Sequence, residues 1–243
     1  MTAAETSSAA LRVAGLCAGY GRIEVCRDIA LELGEGEFLA VLGANGAGKS
    51  TLLGALAGAV SSHGTVALRG RPLGAMNARE RARHGLAFVP EGRRNLFAPL
   101  SVIENLQLGL RLLPAAARQR TLDEIHALFP ILSNRRSQPA GLLSGGEQQM
   151  LAIAVALARK PAVLLLDEPS QGLAPLVLQN LAQQIGALRG LGLTLLLAEQ
   201  NHRFAAQLCD RYVVLAGGEL AGHGDAAALR DADHVAQALL ADA

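Results

Sequence analysis

The chain has 243 residues, enough for one large domain with a buried core or for one domain carrying an inserted lobe. Hydrophobic residues make up 51% of it, yet no apolar run approaches the ~18 residues of a membrane-spanning helix. With a formal net charge of +1, nothing argues for a nucleic-acid-binding surface. Residues 1–5 carry neither a positive segment nor a long apolar core, so no signal peptide is expected and the protein is read as cytosolic. Cys17, Cys26 and Cys209 are odd in number and scattered, without metal-ligand spacing along the chain, and read as buried or incidental thiols.

In chain order, Leu11–Leu16 and Ile29–Leu33 read as short strands. Gly19-Tyr20-Gly21 between them reads as a turn with one aromatic side chain, either a surface tyrosine or a platform for a purine ring. Glu37–Leu42 is an apolar strand and Thr51–Ala57 a helix. Ser61-Ser62-His63-Gly64 reads as a turn, Thr65–Leu68 as a strand and Arg69–Pro72 as another turn. Ala75–His84 is expected to be helical with Gly85 as its C-terminal cap, followed by a strand at Leu86–Val89.

Residues 92–143 change character. Gly92–Pro99 is a basic loop with one exposed-looking Phe97. Ser101 and Glu104 form a capping-box pattern opening a helix that Pro114 ends. A second helix, Ala115–Phe129, is closed by Pro130, and no strand is expected in this stretch. Beyond it, helices at Gly146–Arg159, Leu176–Arg189 and Arg203–Leu208 alternate with aliphatic strands at Ala162–Leu166 and Leu193–Leu197. Arg211–Leu215 and Glu219–Ala221 read as a hairpin around Gly217-Gly218, and Asp225–Leu240 as a closing helix. Alternating strands and helices predict an α/β protein with a mainly parallel sheet, a small antiparallel N-terminal portion and an inserted helical subdomain.

Three motifs carry chemistry. Gly43-Ala44-Asn45-Gly46-Ala47-Gly48-Lys49-Ser50 fits the phosphate-binding pattern G-x-x-x-x-G-K-[ST], with Thr51 next. Its glycines let backbone N–H groups wrap phosphates, and the helix that follows aims its N-terminus at them. Lys49 reaches the β- and γ-phosphates, and the Ser50 hydroxyl is placed to hold Mg²⁺. Asp167 ends an aliphatic strand, where a carboxylate completes that metal site, and Glu168 beside it is placed to take a proton from attacking water. Leu143-Ser144-Gly145-Gly146-Glu147 opens the helix before that strand. Ser144 and Glu147 alone make a plain capping box, but two glycines in the first turn suggest a second anion site completing a partner's site.

These motifs, in this order, resemble the ATP-binding subunit of ABC transporters, over about residues 11–225. The resemblance implies an ATPase that uses ATP and Mg²⁺, with a core of residues 11–91 and 144–225, a helical subdomain at 92–143 and a C-terminal helix at 226–243. It implies head-to-tail pairing with a second ATP-binding subunit, a sister or a copy, with Leu143–Glu147 facing the partner's ATP. Tyr20 then corresponds to the aromatic that stacks on adenine. The helical subdomain is implied to contact membrane permease subunits at the cytoplasmic face of the inner membrane, a substrate-binding protein acts indirectly, and no nucleic acid is involved.

The family's usual residues change at three places. Glu91 stands for the Q-loop glutamine, Ala174 for the last residue of the D-loop Ser170–Ala174, and Gln200 for the switch histidine, with His202 two residues late for that role. Val89–Arg94, Phe97, Leu100–Leu106, Gly172–Pro175 and Glu199-Gln200-Asn201 resemble the shorter ATP-binding subunit of branched-chain amino-acid importers, a pattern shared by urea and short-chain amide importers. Catalytic roles are thus expected of Glu168, Lys49 and Gln200; Gln200 can hydrogen-bond a phosphate or water but is neither a cation nor a base.

Overall fold

The computed structural model describes residues 9–230. Its central strand, β3 (Phe38–Leu42), is buried at every residue. Around it lie β6 (Leu86–Val89), β7 (Val163–Asp167), β8 (Thr194–Glu199), β9 (Arg211–Ala216) and β10 (Glu219–Asp225). They form a six-stranded sheet in the order β10-β9-β3-β8-β7-β6. All neighbours pair in parallel except β10, which returns antiparallel to β9.

The strands read as unbroken aliphatic runs because both faces are covered. Alternate side chains enter separate cores, as a period of two dictates. Phe38, Ala40 and Leu42 join Leu164, Leu166, Leu195 and Leu197 in a core shared with helices. Leu39 and Val41 join Val163, Leu165, Leu196 and Ala198 in a second core.

That second core is closed by β1 (Ala9–Tyr20), β2 (Ile23–Gly34), β4 (Ser61–Leu68) and β5 (Arg71–Pro72), an antiparallel sheet in the order β2-β1-β4-β5. Helix α1 (Lys49–Leu56) contributes Leu52, Leu53 and Leu56 to it. The helical core gathers α3 (Val102–Leu110), α4 (Ala115–Leu128), α5 (Pro130–Asn134), α6 (Gly145–Leu157), α7 (Pro175–Ala187) and α8 (His202–Leu208). Residues 91–143 carry helices, turns and one isolated bridge, Ser101 to Pro139, but no strand.

Several sequence expectations need correction. Ser61–Gly64 is no turn but the first half of β4, with Ser61, Ser62 and His63 paired to Gly19, Ala18 and Cys17 of β1. The polar composition belongs to a largely solvent-facing stretch, and Gly64 (φ +105°) sits at a bulge where a Cβ would meet the Gly15 carbonyl at 2.3 Å. The two N-terminal strands are longer than expected, twelve residues each, so Tyr20 ends β1 rather than sitting within a turn. The helix expected over 75–84 is only α2 (Ala78–Arg83), because Asn77 caps it in a reciprocal box with Glu80. Pro130 ends α4 and also opens α5, where its missing N–H is harmless. The expected closing helix does not begin at Asp225, which ends β10; Ala226–Arg230 is a 3₁₀ turn, and the remainder lies outside the described residues.

Arg81 of α2 fixes the far end of α1. It is 4% exposed, and its guanidinium donates to the carbonyls of Ala55, Leu56, Gly74 and Met76 at 2.8–3.0 Å. Two of these carbonyls belong to the end of α1: that of Ala55 also accepts the Gly58 N–H at 3.0 Å, whereas that of Leu56 has no backbone donor among the described residues. Arg81→Met keeps the aliphatic stem but strands the buried carbonyls, and should cost about 2–4 kcal/mol in denaturant unfolding.

Candidate functional site

Parallel strands aim their carboxyl ends at one rim of the sheet, and a ligand crevice forms there. From the end of β3, Gly43–Gly48 bends into α1, with Gly48 at φ +107° as its N-cap residue. That torsion suits glycine alone and delivers Lys49 into the crevice. Lys49 is 4% exposed. Its ammonium donates to the carbonyls of Gly43 (2.8 Å) and Ala44 (2.9 Å) and pairs with Glu168 Oε1 at 2.9 Å. Glu168 itself sits at φ +44°, just past β7, with its N–H bonded to the Ala198 carbonyl. A non-glycine residue in that region is strained, and such strain gathers at functional sites.

A cavity of about 370 Å³ opens beside this pair, lined by Val25, Asn45, Gly46, Gly48, Lys49, Ser50, Thr51, Glu91, Glu168 and Gln171. Most of the phosphate loop, Glu168 and Glu91 therefore converge as expected. Val25 and Gln171 were not expected as lining residues; Gln171 lies in the D-loop pattern without a role assigned to it, and nothing in the spacing of Val25 marks it, since β2 carries it in through tertiary packing.

Asp167 is 3% exposed, and burial raises the pKa of its carboxyl. The Ser50 hydroxyl and the Glu91 backbone oppose that rise, while the charges of Glu91 and Glu168 add to it. Asp167 Oδ1 is buried and has no hydrogen-bond partner among the described residues. An orphaned carboxylate oxygen beside a hydroxyl is a hard-oxygen donor set that fits Mg²⁺.

The remaining expected residues lie elsewhere. Tyr20 is 56% exposed at the end of β1. Ser144 caps α6 in a full reciprocal box with Glu147 (2.8 and 3.3 Å), and the Ser144 N–H is the main cause holding the Glu147 carboxyl below its ordinary range. Leu143 is buried, whereas Ser144 and Gly145 are exposed at the helix start. Gly146 has a packing reason of its own: a Cβ there would lie 2.3 Å from Val177 of α7. Gln200 is exposed past β8 and does not line the cavity; His202 opens α8, half-buried. Cross-strand pairing brings ligand atoms of Cys17, Glu24 and His63 within 4.8 Å of one another, a grouping that spacing along one strand cannot reveal. Burial pushes the Cys26 thiol up to about 11.

One further acid lies in the Glu199-Gln200-Asn201 pattern but was given no role of its own by the sequence. Glu199, last residue of β8, is 1% exposed and accepts from Ser170 N (3.0 Å), Ser170 Oγ (2.8 Å) and Asn201 N (3.2 Å). Burial, chiefly, raises its pKa to about 7. Besides that pattern, its signal in the sequence is an ionisable residue continuing an aliphatic strand.

A family model described as ABC transporter matches residues 26–171, which span the phosphate loop, Leu143–Glu147 and Asp167. The chain belongs to the ABC transporter family. Members couple ATP hydrolysis to transport, so this ABC cassette is an ATPase and binds ATP; such subunits work with membrane permease components, typically as dimers. It is 44% identical over 211 residues to the high-affinity branched-chain amino acid transport ATP-binding protein BraG of Pseudomonas aeruginosa, covering 86% of this chain and 90% of the relative. It is 38% identical over 218 residues to the probable branched-chain amino acid transport ATP-binding protein LivF of Archaeoglobus fulgidus, covering 89% and 92%. The cassette also superposes on a crystal structure of a nucleotide-free ATP-binding cassette from an ABC transporter, with TM-score 0.81, 21% identity and 96% of each chain covered, a likeness of fold. No helix among the described residues is long and apolar enough to cross a membrane.

The raised pKa of Glu199 makes this ABC cassette's stability depend on pH. A carboxyl with a raised folded-state pKa adds stability that is complete below its unfolded value of 4.5 and is lost as pH rises through about 7. Across that window wild type should lose on the order of 3 kcal/mol that Glu199→Gln does not lose, checked by denaturant unfolding of both proteins at pH 4.5 to 8.

Proposed function

We propose that this chain is the ATP-hydrolysing subunit of an importer for branched-chain or related amino acids. The carrying observation is the Lys49–Glu168 ion pair at the wall of the phosphate-loop cavity. The likeness to BraG supports the amino-acid cargo. A urea or short-chain amide importer is the alternative that the shared motifs favour. The other rivals are an ABC ATPase unconnected with transport and a nucleotide-gated subunit that does not hydrolyse.

The chemistry follows from the pair. Lys49 and Glu168 neutralise each other at 2.9 Å. The β- and γ-phosphates of ATP, cradled by Gly43–Ser50 and Thr51, compete with Glu168 for the ammonium. Glu168, released, accepts a proton from a water whose oxygen attacks the γ-phosphorus as the bond to the β-phosphate oxygen breaks, yielding ADP and phosphate. Ser50 and Asp167 are the residues that would hold Mg²⁺, which when bound neutralises charge on the phosphate oxygens. Glu91 and Gln200 take the Q-loop and switch positions, and Tyr20 stacks on adenine. Leu143–Glu147 presents the start of α6 to the ATP of a second cassette, sister or copy.

In this reading residues 11–91 and 144–225 are the ATPase core and 92–143 the lobe that meets the permease at the cytoplasmic face of the inner membrane. Phe97, 58% exposed, offers that lobe an apolar contact. Its loop is rigid because buried Asn105 bonds the N–H and carbonyl of Phe97 and the carbonyls of Leu100 and Ser101. The substrate-binding protein acts only through the permease, and no nucleic acid takes part.

Glu168→Gln should bind ATP and dimerise but hydrolyse it at least about 100-fold more slowly; wild-type phosphate release by this variant would refute the assigned base. Lys49→Ala should lose nucleotide binding in a titration with labelled ATP. In a reconstituted complex with permease and binding protein, leucine, isoleucine or valine should stimulate ATPase activity. A flat response to these three with stimulation by urea would reassign the cargo.

A further inference from the structure

β8 lies between β3, which leads into the phosphate loop, and β7, which leads to Asp167 and Glu168. Glu199 closes β8, in register with Leu42, the residue just before Gly43. Both of its carboxylate oxygens are used. Oε1 accepts the Ser170 N–H, while Oε2 accepts the Ser170 hydroxyl and the Asn201 N–H. One buried side chain thereby ties the loop after β7 to the loop after β8.

The residues on either side of these ties matter to the site. Gln171, next to Ser170, lines the cavity. Gln200 lies between Glu199 and Asn201, and the Asn201 side chain caps α8 through the Phe204 N–H at 3.1 Å. Gln200 is thus flanked by two anchored neighbours. A buried carboxylate is an expensive way to hold two loops, and among the described residues no cation pairs with Glu199. A carboxylate nevertheless suits this position, because it only accepts. Three donors converge on two oxygens, an arrangement an amide cannot satisfy, since one end of an amide is itself a donor.

We propose that Glu199 is a positioning residue for ATP hydrolysis, fixing the Ser170–Ala174 loop and Gln200 relative to the phosphate loop through its hydrogen bonds to Ser170 and Asn201. The proposal rests on the hydrolytic reading above and adds to it. Glu199 does not line the phosphate-loop cavity; it sets where Gln171 and Gln200 stand when the γ-phosphate is cleaved. The cost of loosening it therefore falls on turnover rather than on ATP binding, since Lys49 and the phosphate loop keep their own contacts.

The test uses full-length Glu199→Gln, Ser170→Ala and the double variant, purified beside wild type. Glu199→Gln should lower kcat about tenfold while KM for ATP stays within about twofold. Ser170→Ala, a milder change that removes only the hydroxyl, should lower kcat less and in the same sense. The double variant should be no slower than Glu199→Gln alone, because both act through one link. Unchanged kcat in both single variants, or fully additive losses, would overturn the proposal. Backbone hydrogen exchange supplies a reading independent of turnover. The amides of Ser170 and Asn201 should exchange faster in Glu199→Gln, with those of β3 and α1 unchanged. Equal exchange at Ser170 and Asn201 in both proteins, or loss of protection throughout β3 and α1, would equally overturn it. Should wild type itself release no phosphate, the hydrolytic reading falls, and exchange alone decides whether Glu199 positions the two loops.

Discussion

Lys49 is a cation held almost out of water, and the site is arranged around satisfying it. Isolated burial of an ammonium is prohibitively costly, so the group must find oxygens. It finds two carbonyls of its own loop and one carboxylate from the neighbourhood of β7. The loop curls back onto its own lysine, and the strained Glu168 backbone is held by the same contact. The ion pair joins two segments more than a hundred residues apart in the chain. In the proposed function, substrate binding is an exchange of anions at one ammonium.

The acids around that lysine follow from the same constraint. Burial is the main cause that raises the Asp167 pKa, and the nearby charges of Glu91 and Glu168 add to the rise. Lys49 alone leaves an excess of negative charge at the rim. In the proposed function a divalent cation at Ser50 and Asp167 would be the counterweight, and the carboxylate of Glu91 would add to the need for it.

How much of this was legible depended on whether a signal was local. The phosphate loop was readable because its strand and helix lie beside it, and β7 and β8 because burial on both faces makes them aliphatic throughout. β4 was misread because a solvent-facing strand of serines and histidine looks like a turn until its pairing with β1 is known. The glycines of α6 were legible as unusual but not as to cause: Gly146 makes room for Val177, a contact between two helices far apart in sequence. Glu199 was invisible as a buried acid, since burial belongs to the packed protein and not to the residue. Gln171 and Val25 entered the cavity wall for the same reason.

The Asn105 amide fixes the backbone that carries Phe97 while leaving the phenyl ring in solvent. Frame and contact are thus encoded by different residues. Exchange of the side chain at 97 alters what the loop touches without altering its shape, whereas exchange at 105 alters the shape itself. If this lobe meets the permease as proposed, single substitutions at the tip refit the loop to a different membrane subunit and leave the nucleotide machinery untouched.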